Sequence, residues 1–493
     1  MRGCADPDGP LVSRSCHCSV RLVHRGTMTA DLAYLSIAEA AALIARKALS
    51  PVTLTDALLA RIDEIDGQLG SFVTLTPETA RVAARNAEDE IMRGQSRGPL
   101  HGIPIALKDA YDTAGIVTTV GSKLRAGHVP LHDAMAWARL KDAGAILLGK
   151  LETTEFCYGG PSADGLFPPS RNPWNLDCYA GGSSSGAGVA LAAGLCLGAL
   201  GTDTGGSIRL PAAYCGVTGL MTSTGLISRA GVFPLSYSFD HLGPMARSAE
   251  DCAILLEALA AHDPNDPNSV SVSATPYRAR LADGIKGMRI GVVRAFSDSQ
   301  FVTATIAAAM EDSARILAGL GATVAEAALP ELQDFAACQI AITLAEGFAI
   351  HEDDLRERRA DYSYYSRVRL SLGPLVRGAD YVQAQRLRRE LIEQCDAAFE
   401  KFDLLLLPGA PGPAPEARQV GPFDFLRKPL VTIPANVLGA PAIAMPAGFT
   451  DDGLPLSIQL MGRRFDEAGV LRAAYAFQQE TNWHQRRPSL FGR

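Results

Sequence analysis

The sequence predicts a layered α/β fold, and two observations carry that prediction. From Met288 onward short apolar runs alternate with long helical spacing: residues 289–293 read as a strand, 304–320 as a helix and 322–328 as a strand again. The four leucines at 404–407, stopped by Pro408, form a further strand. Strands that alternate with helices of this length pack as helices over a sheet.

The elements upstream fit the same scheme. Residues 35–65 have helical periodicity, with Ser36 as an N-cap and Ser50-Pro51 opening a second, proline-started helix. Residues 76–93 read as an amphipathic helix that opens on T-P-E-T. After Gly102 the apolar runs shorten and are divided by Gly and Pro. A helix over 134–142 leads into a strand over 145–149; a helix over 187–194 precedes a short buried strand at 199–201. Residues 263–276, rich in Pro, Asn and Ser, read as a surface connection within one domain. There is no internal repeat.

Composition narrows the function class. Of 493 residues 47% are hydrophobic and 20% charged, an ordinary globular balance. Net charge is −7 and no Lys/Arg block stands out, so the expected partners exclude nucleic acid. No apolar run is long enough for a membrane span; 187–200 is the longest candidate and is interrupted by glycine. Residues 1–27 carry scattered charges and no continuous apolar core, a poor secretory signal, and read as an extension or a mis-called start. The ten cysteines are scattered, with Cys196, Cys215 and Cys252 in apolar stretches, which suits buried thiols in a reducing, cytoplasmic setting. Cys16-His17-Cys18 lacks neighbours to complete a metal site, and no metal or cofactor is expected.

Three stretches carry the chemistry. Residues 201–211 read G-T-D-T-G-G-S-I-R-L-P, residues 181–188 read G-G-S-S-S-G-A-G, and residues 101–109 read H-G-I-P-I-A-L-K-D. A serine hydroxyl needs an adjacent base to become a nucleophile. Lys108 can be that base if it is neutral, and the apolar residues 103–107 before it predict burial, which disfavours the ammonium form. Gly205 and Gly206 before Ser207 let consecutive N–H groups converge on one point, the requirement for an oxyanion hole. Gly182-Ser183-Ser184-Ser185-Gly186 also matches G-x-S-x-G, with Ser184 as nucleophile and His351 or His484 as partner. That motif needs a strand immediately before the turn, and the preceding residues read as loop.

Together with R-N-P-W-N at 171–175 and D-H-L-G-P-M-A-R-S at 240–248, these stretches resemble the amidase signature family across about residues 31–486. The resemblance implies one large α/β domain over 28–486, a central mixed β-sheet covered by helices on both faces, N-terminal helices over 28–100 and a tail at 487–493. It implies Lys108 as base, Ser183 as bridging serine after a cis peptide from Gly182, and Ser207 as acyl-forming nucleophile. The two serines are 24 residues apart, as the family requires. The backbone of Thr204, Gly205, Gly206 and Ser207 supplies the oxyanion donors, with Ser184, Asp203 and Arg209 in support. Tyr158, Gly159 and Gly160 line the substrate pocket. Ser185 departs from the pattern, since many members have Gly there.

The resulting expectation is a metal-independent amidohydrolase of neutral aryl or alkyl amides, with esters and carbamates also open to the same acyl-enzyme chemistry. No acidic or basic pair marks a charged substrate. The expected partners are a small-molecule amide, ester or carbamate, with no membrane and with a homodimer as one admissible assembly. Tyr362, Tyr364 and Tyr365, with Leu370, Leu372 and Leu375, either floor an apolar pocket or pack a helix. The alternative function is the A subunit of glutamyl-tRNA amidotransferase, which releases ammonia from glutamine. Those subunits tend to carry an Asp three residues before a Thr to hold the glutamine amino group; here Pro429 precedes Thr432.

Overall fold

The computed structural model describes residues 32–272 and 275–490. Eleven strands form one mixed sheet in the order β1-β3-β2-β4-β6-β5-β10-β11-β9-β7-β8. They are β1 (Phe72–Leu75), β2 (Pro104–Lys108), β3 (Ile146–Leu151), β4 (Gly198–Asp203), β5 (Thr218–Met221), β6 (His241–Ala246), β7 (Arg289–Val292), β8 (Thr323–Glu326), β9 (Leu404–Pro408), β10 (Ala442–Phe449) and β11 (Pro455–Gly462). β2 runs parallel to both β3 and β4, and β7 parallel to both β8 and β9; the remaining pairs are antiparallel. Leu107 lies opposite Leu200, so β2 and β4 deliver their carboxyl ends side by side.

Local chemistry explains the element ends. Ser36 and Glu39 form a capping box at the helix Ile37–Ala45. The Ser50 hydroxyl accepts from Val52 and Thr53 at the start of the helix Pro51–Leu69, which stops at Gly70 in the left-handed conformation. The helix Ser185–Ala192 is buried at every residue, and its small side chains let it sit against backbone on several sides. The main core gathers Ile105, Leu107, Val189, Leu200, Leu255, Leu460 and Phe477. A second apolar cluster, with Phe335, Phe399, Leu407 and Val437, lies under the helices Leu332–Glu357 and Gly378–Lys401.

The strand expected over 322–328 shortens to Thr323–Glu326 and is largely exposed, because it closes one edge of the sheet. β10 and β11 escaped the sequence reading. Their first six residues or more are buried on both faces, so no apolar–polar alternation marks them. The extension 1–27, with Cys4, Cys16, His17 and Cys18, lies outside the described residues. The seven described cysteines are buried free thiols. No described helix is long and apolar enough to cross a membrane.

Candidate active site

Lys108 closes β2 and is fully buried. Its Nζ lies 2.6 Å from Ser183 Oγ and 2.7 Å from Thr202 Oγ1. Burial pushes its ammonium below the ordinary lysine value, with nearby Cys157, Asp203 and Glu152 opposing the shift. The neighbouring Asp109 is not its ion-pair partner. Asp109 faces Lys150 on β3 at 3.1 Å, both side chains buried.

Two serine loops meet over β4. The Gly182–Ser183 peptide is cis. Ser184 N donates to Ser207 O at 3.1 Å, and Ser184 Oγ lies 3.3 Å from both N and O of Thr202. Ser184 is thus bound into the backbone, and among the described residues no strand stands immediately ahead of it and no histidine is bonded to it. His351 is bonded to Tyr362 OH at 3.0 Å and packed at a tilt against Phe156, and burial lowers it to about 4; His484 is also held low by burial. The G-x-S-x-G reading therefore has neither its strand nor its base.

Ser207 is partly exposed, on a loop gripped from below by Asp203. Asp203 Oδ1 accepts from Gly206 N at 2.7 Å and Oδ2 from Ile208 N at 3.1 Å. Arg209 donates to Asp203 through Nε and Nη2, both at 3.0 Å, and both residues are fully buried. Arg209 also reaches Thr432 O at 2.6 Å, Gln459 Oε1 at 2.9 Å and Asn436 Oδ1 at 2.6 Å. Burial alone would push Asp203 up; Arg209, Asn436 and the loop amide instead hold it far below the usual carboxylate range. The grip alters the expected set of oxyanion donors. The Gly206 amide is committed to Asp203, whereas those of Thr204, Gly205 and Ser207 have no such tie.

Beside Tyr158 and Gly159, expected from the resemblance to line a pocket, lies a residue the sequence reading missed. Arg369 Nη1 donates to Gly159 O at 2.8 Å and to Tyr158 O at 3.3 Å, and Nε to Pro422 O at 2.8 Å. Its guanidinium lies over the rings of Tyr158, Tyr365 and Phe425. Burial raises Tyr158 to about 12, with Arg369 opposing. Among the described residues no carboxylate lies within ion-pair distance of Arg369. Arg369 is thus a buried cation beside Tyr158 and Gly159, and nothing in R-V-R-L at 367–370 distinguishes it from a surface arginine. The aromatic cluster divides. Tyr365 lies under the Arg369 guanidinium, Tyr362 is buried against His351 and Phe156, and Tyr364 and Leu375 are exposed.

Thr202, Asn436 and Gln459 were also missed, and Thr432 was read only as the marker that locates Pro429. Thr202 had a local signal, since it lies two residues before Thr204 and shares its face of an extended segment. Asn436 and Gln459 reach Arg209 from more than 220 residues away and had none. A cavity of about 230 Å³ touches Cys157, Thr202 and Thr204 and is lined further by Arg229, Phe233 and Tyr237. It includes neither serine of the Lys108 cluster.

Fold and site together define a hydrolase of amide C–N bonds. The sequence profile of the Amidase family matches residues 53–471, and the chain belongs to the amidase signature family. It is 37% identical over 486 residues to the A subunit of the glutamyl-tRNA(Gln) amidotransferase of Geobacter metallireducens, a match covering 93% of this chain and 100% of that protein. Among solved structures, a chain from a vestigial complex tied to the origins of an s-triazine catabolic enzyme is 35% identical, with TM-score 0.85, covering 90% of this chain and 98% of that one. The peptide amidase of Stenotrophomonas maltophilia is 32% identical, with TM-score 0.82, covering 93% and 99%.

These relatives correct the expectation that excluded nucleic acid from the chain's partners. Several, including those of Geobacter metallireducens and Moorella thermoacetica, are named as subunits of a tRNA amidotransferase. The physical reason is plain. Net charge describes one chain's own surface, and a subunit can serve a nucleic-acid-directed reaction without presenting a basic face. The relatives also favour the amidotransferase alternative over the stand-alone reading.

Proposed function

We propose that the chain hydrolyses a primary carboxamide through an acyl-enzyme, with Ser207 as nucleophile, Ser183 as proton relay and Lys108 as base. The observation that carries this reading is the 2.6 Å contact between a fully buried lysine and Ser183. Ser207 Oγ attacks the carbonyl carbon while its proton passes to Ser183 and the Ser183 proton to Lys108. The amides of Thr204, Gly205 and Ser207 receive the oxyanion. The relay then reverses: Lys108 returns a proton through Ser183 to the leaving nitrogen, the C–N bond breaks, and ammonia departs. Water, deprotonated by the same relay, opens the acyl-enzyme. Ser207→Ala lowers kcat by about three orders of magnitude or more, the scale of losing a triad member. Full activity of that variant sinks the mechanism.

The substrate we propose is glutamine, with the chain acting as the ammonia-releasing subunit of an amidotransferase. The amidotransferase subunits among its relatives support this, and Arg369 supplies a cation suited to a substrate carboxylate. A second reading, direct hydrolysis of neutral amides without partners, is favoured by Pro429, which offers no charge to the glutamine ammonium. The measurement is ammonia release from glutamine, with and without amidotransferase partner subunits, beside amine release from a neutral anilide. Glutamine turnover stimulated by partners supports the first reading. Faster anilide turnover by the isolated chain, unchanged by partners, selects the second.

A further inference from the structure

Glu152 has no part in the relay, yet it is built into the same site. It follows β3 directly, beside Lys108 at the end of β2, and is only 5% exposed. Ser170 Oγ donates to its carboxyl at 2.8 Å, and the Ser185 side chain lies near enough to favour its ionised form. Ser185 is the position at which this chain departs from the family pattern, two residues after Ser183. The backbones are also joined. Gly186 N donates to Glu152 O at 3.1 Å, and a Cβ on Gly186 would lie 2.6 Å from Glu152 N. The carboxyl thus sits under the Ser183 loop and within electrostatic range of Lys108.

We infer that Glu152 is a positioning residue that braces the Ser183 loop through Ser185 and, when ionised, favours the charged form of Lys108. The inference rests on Lys108 being the base. Burial raises the Glu152 carboxyl to about 7, while Ser170, Ser185 and Lys108 pull it back down. The groups facing it are Lys108 from β2, Tyr179 from the segment before Gly181, and the neutral donors Ser170 and Ser185. Lys150, on its own strand, is bound to Asp109 and to the Tyr111 carbonyl. Asp203 acts on Lys108 from β4. An ionised Glu152 stabilises the ammonium form and raises the pH below which Lys108 cannot accept a proton.

The test is the rate at which a fluorophosphonate labels the full chain, read against pH. This reports activation of Ser207 without knowledge of the natural substrate. Glu152→Gln keeps the shape and one acceptor oxygen, which Ser170 can still use, but removes the charge. It moves the acid limb of labelling to lower pH by about half a unit or more. Ser185→Ala withdraws one donor from the carboxylate, keeps Glu152 protonated to higher pH, and moves the limb the same way by less. It also carries the test if Glu152→Gln fails to fold. An acid limb unmoved in the folded variants overturns the inference. Lys108→Ala labelled at the wild-type rate, or a wild type with no acid limb, overturns the base reading instead.

Discussion

Lys108 and Lys150 are both buried, and both are pushed below the ordinary lysine value by burial, yet their surroundings assign them different tasks. Lys150 has a carboxylate, Asp109, at 3.1 Å; Lys108 is bonded to the hydroxyls of Ser183 and Thr202. A hydroxyl does not hold a lysine in its charged form as a carboxylate does, so Lys108 is the one suited to accept a proton. Below its pKa it carries the proton already and has no lone pair to offer. kcat/KM is therefore expected to fall on the acid side, through a pKa below ~10.4, the ordinary lysine value. A pH–rate profile with its acid limb at that ordinary value contradicts a desolvated base. Lys150→Gln tests the contrast. Leaving Asp109 unpaired in the interior costs about 3–5 kcal/mol, read as a lower denaturant midpoint. The acid limb of the protein that remains folded stays in place.

The loop 204–208 shows how a short element is made rigid from beneath. Gly206 has φ of 126°, a region that side chains rarely adopt, and its missing Cβ leaves room for the Thr432 side chain, whose Oγ1 donates to Gly205 O at 2.7 Å. Gly206→Ala is therefore both strained and in collision with Thr432. The expected outcome is a loss of kcat of about 100-fold or more, because a displacement of roughly 1 Å at the nucleophile has that effect. Stability is expected to fall by about 1–3 kcal/mol. Wild-type kcat in Gly206→Ala would show that the loop tolerates movement and that the grip of Asp203 and Thr432 is not what aligns Ser207.

Across the whole molecule, Arg209 joins the segments that flank Ser207 to residues near 430–460. Its guanidinium binds Asp203 on one side and Thr432, Asn436 and Gln459 on the other. Lysine keeps the charge but not the planar fork, so it can serve only part of this set. Arg209→Lys is expected to lower stability by about 2–4 kcal/mol through the buried groups left unpaired, and to lower kcat more than it raises KM. Chemical denaturation and steady-state kinetics on the same preparation check both. An unchanged midpoint and kcat would remove Arg209 as the link between the two parts of the sheet.

The sequence by itself determined what lies in short contiguous stretches. The apolar run before Lys108, the paired glycines before Ser207 and the serine-rich loop around Ser183 are each legible within about ten residues, because burial, backbone freedom and hydroxyl supply are local properties. Helix starts at Ser36 and Ser50 were legible for the same reason. Tertiary structure alone decided the rest. It placed Lys108 against Ser183 and Thr202, turned Asp109 to Lys150, committed the Gly206 amide to Asp203, and set Arg369 over Tyr158. Each is a pairing between segments far apart in the chain or a choice among equivalent donors, and neither leaves a periodicity or a motif behind. A buried polar group must find a partner, but which partner it finds depends on the order in which the eleven strands are laid side by side.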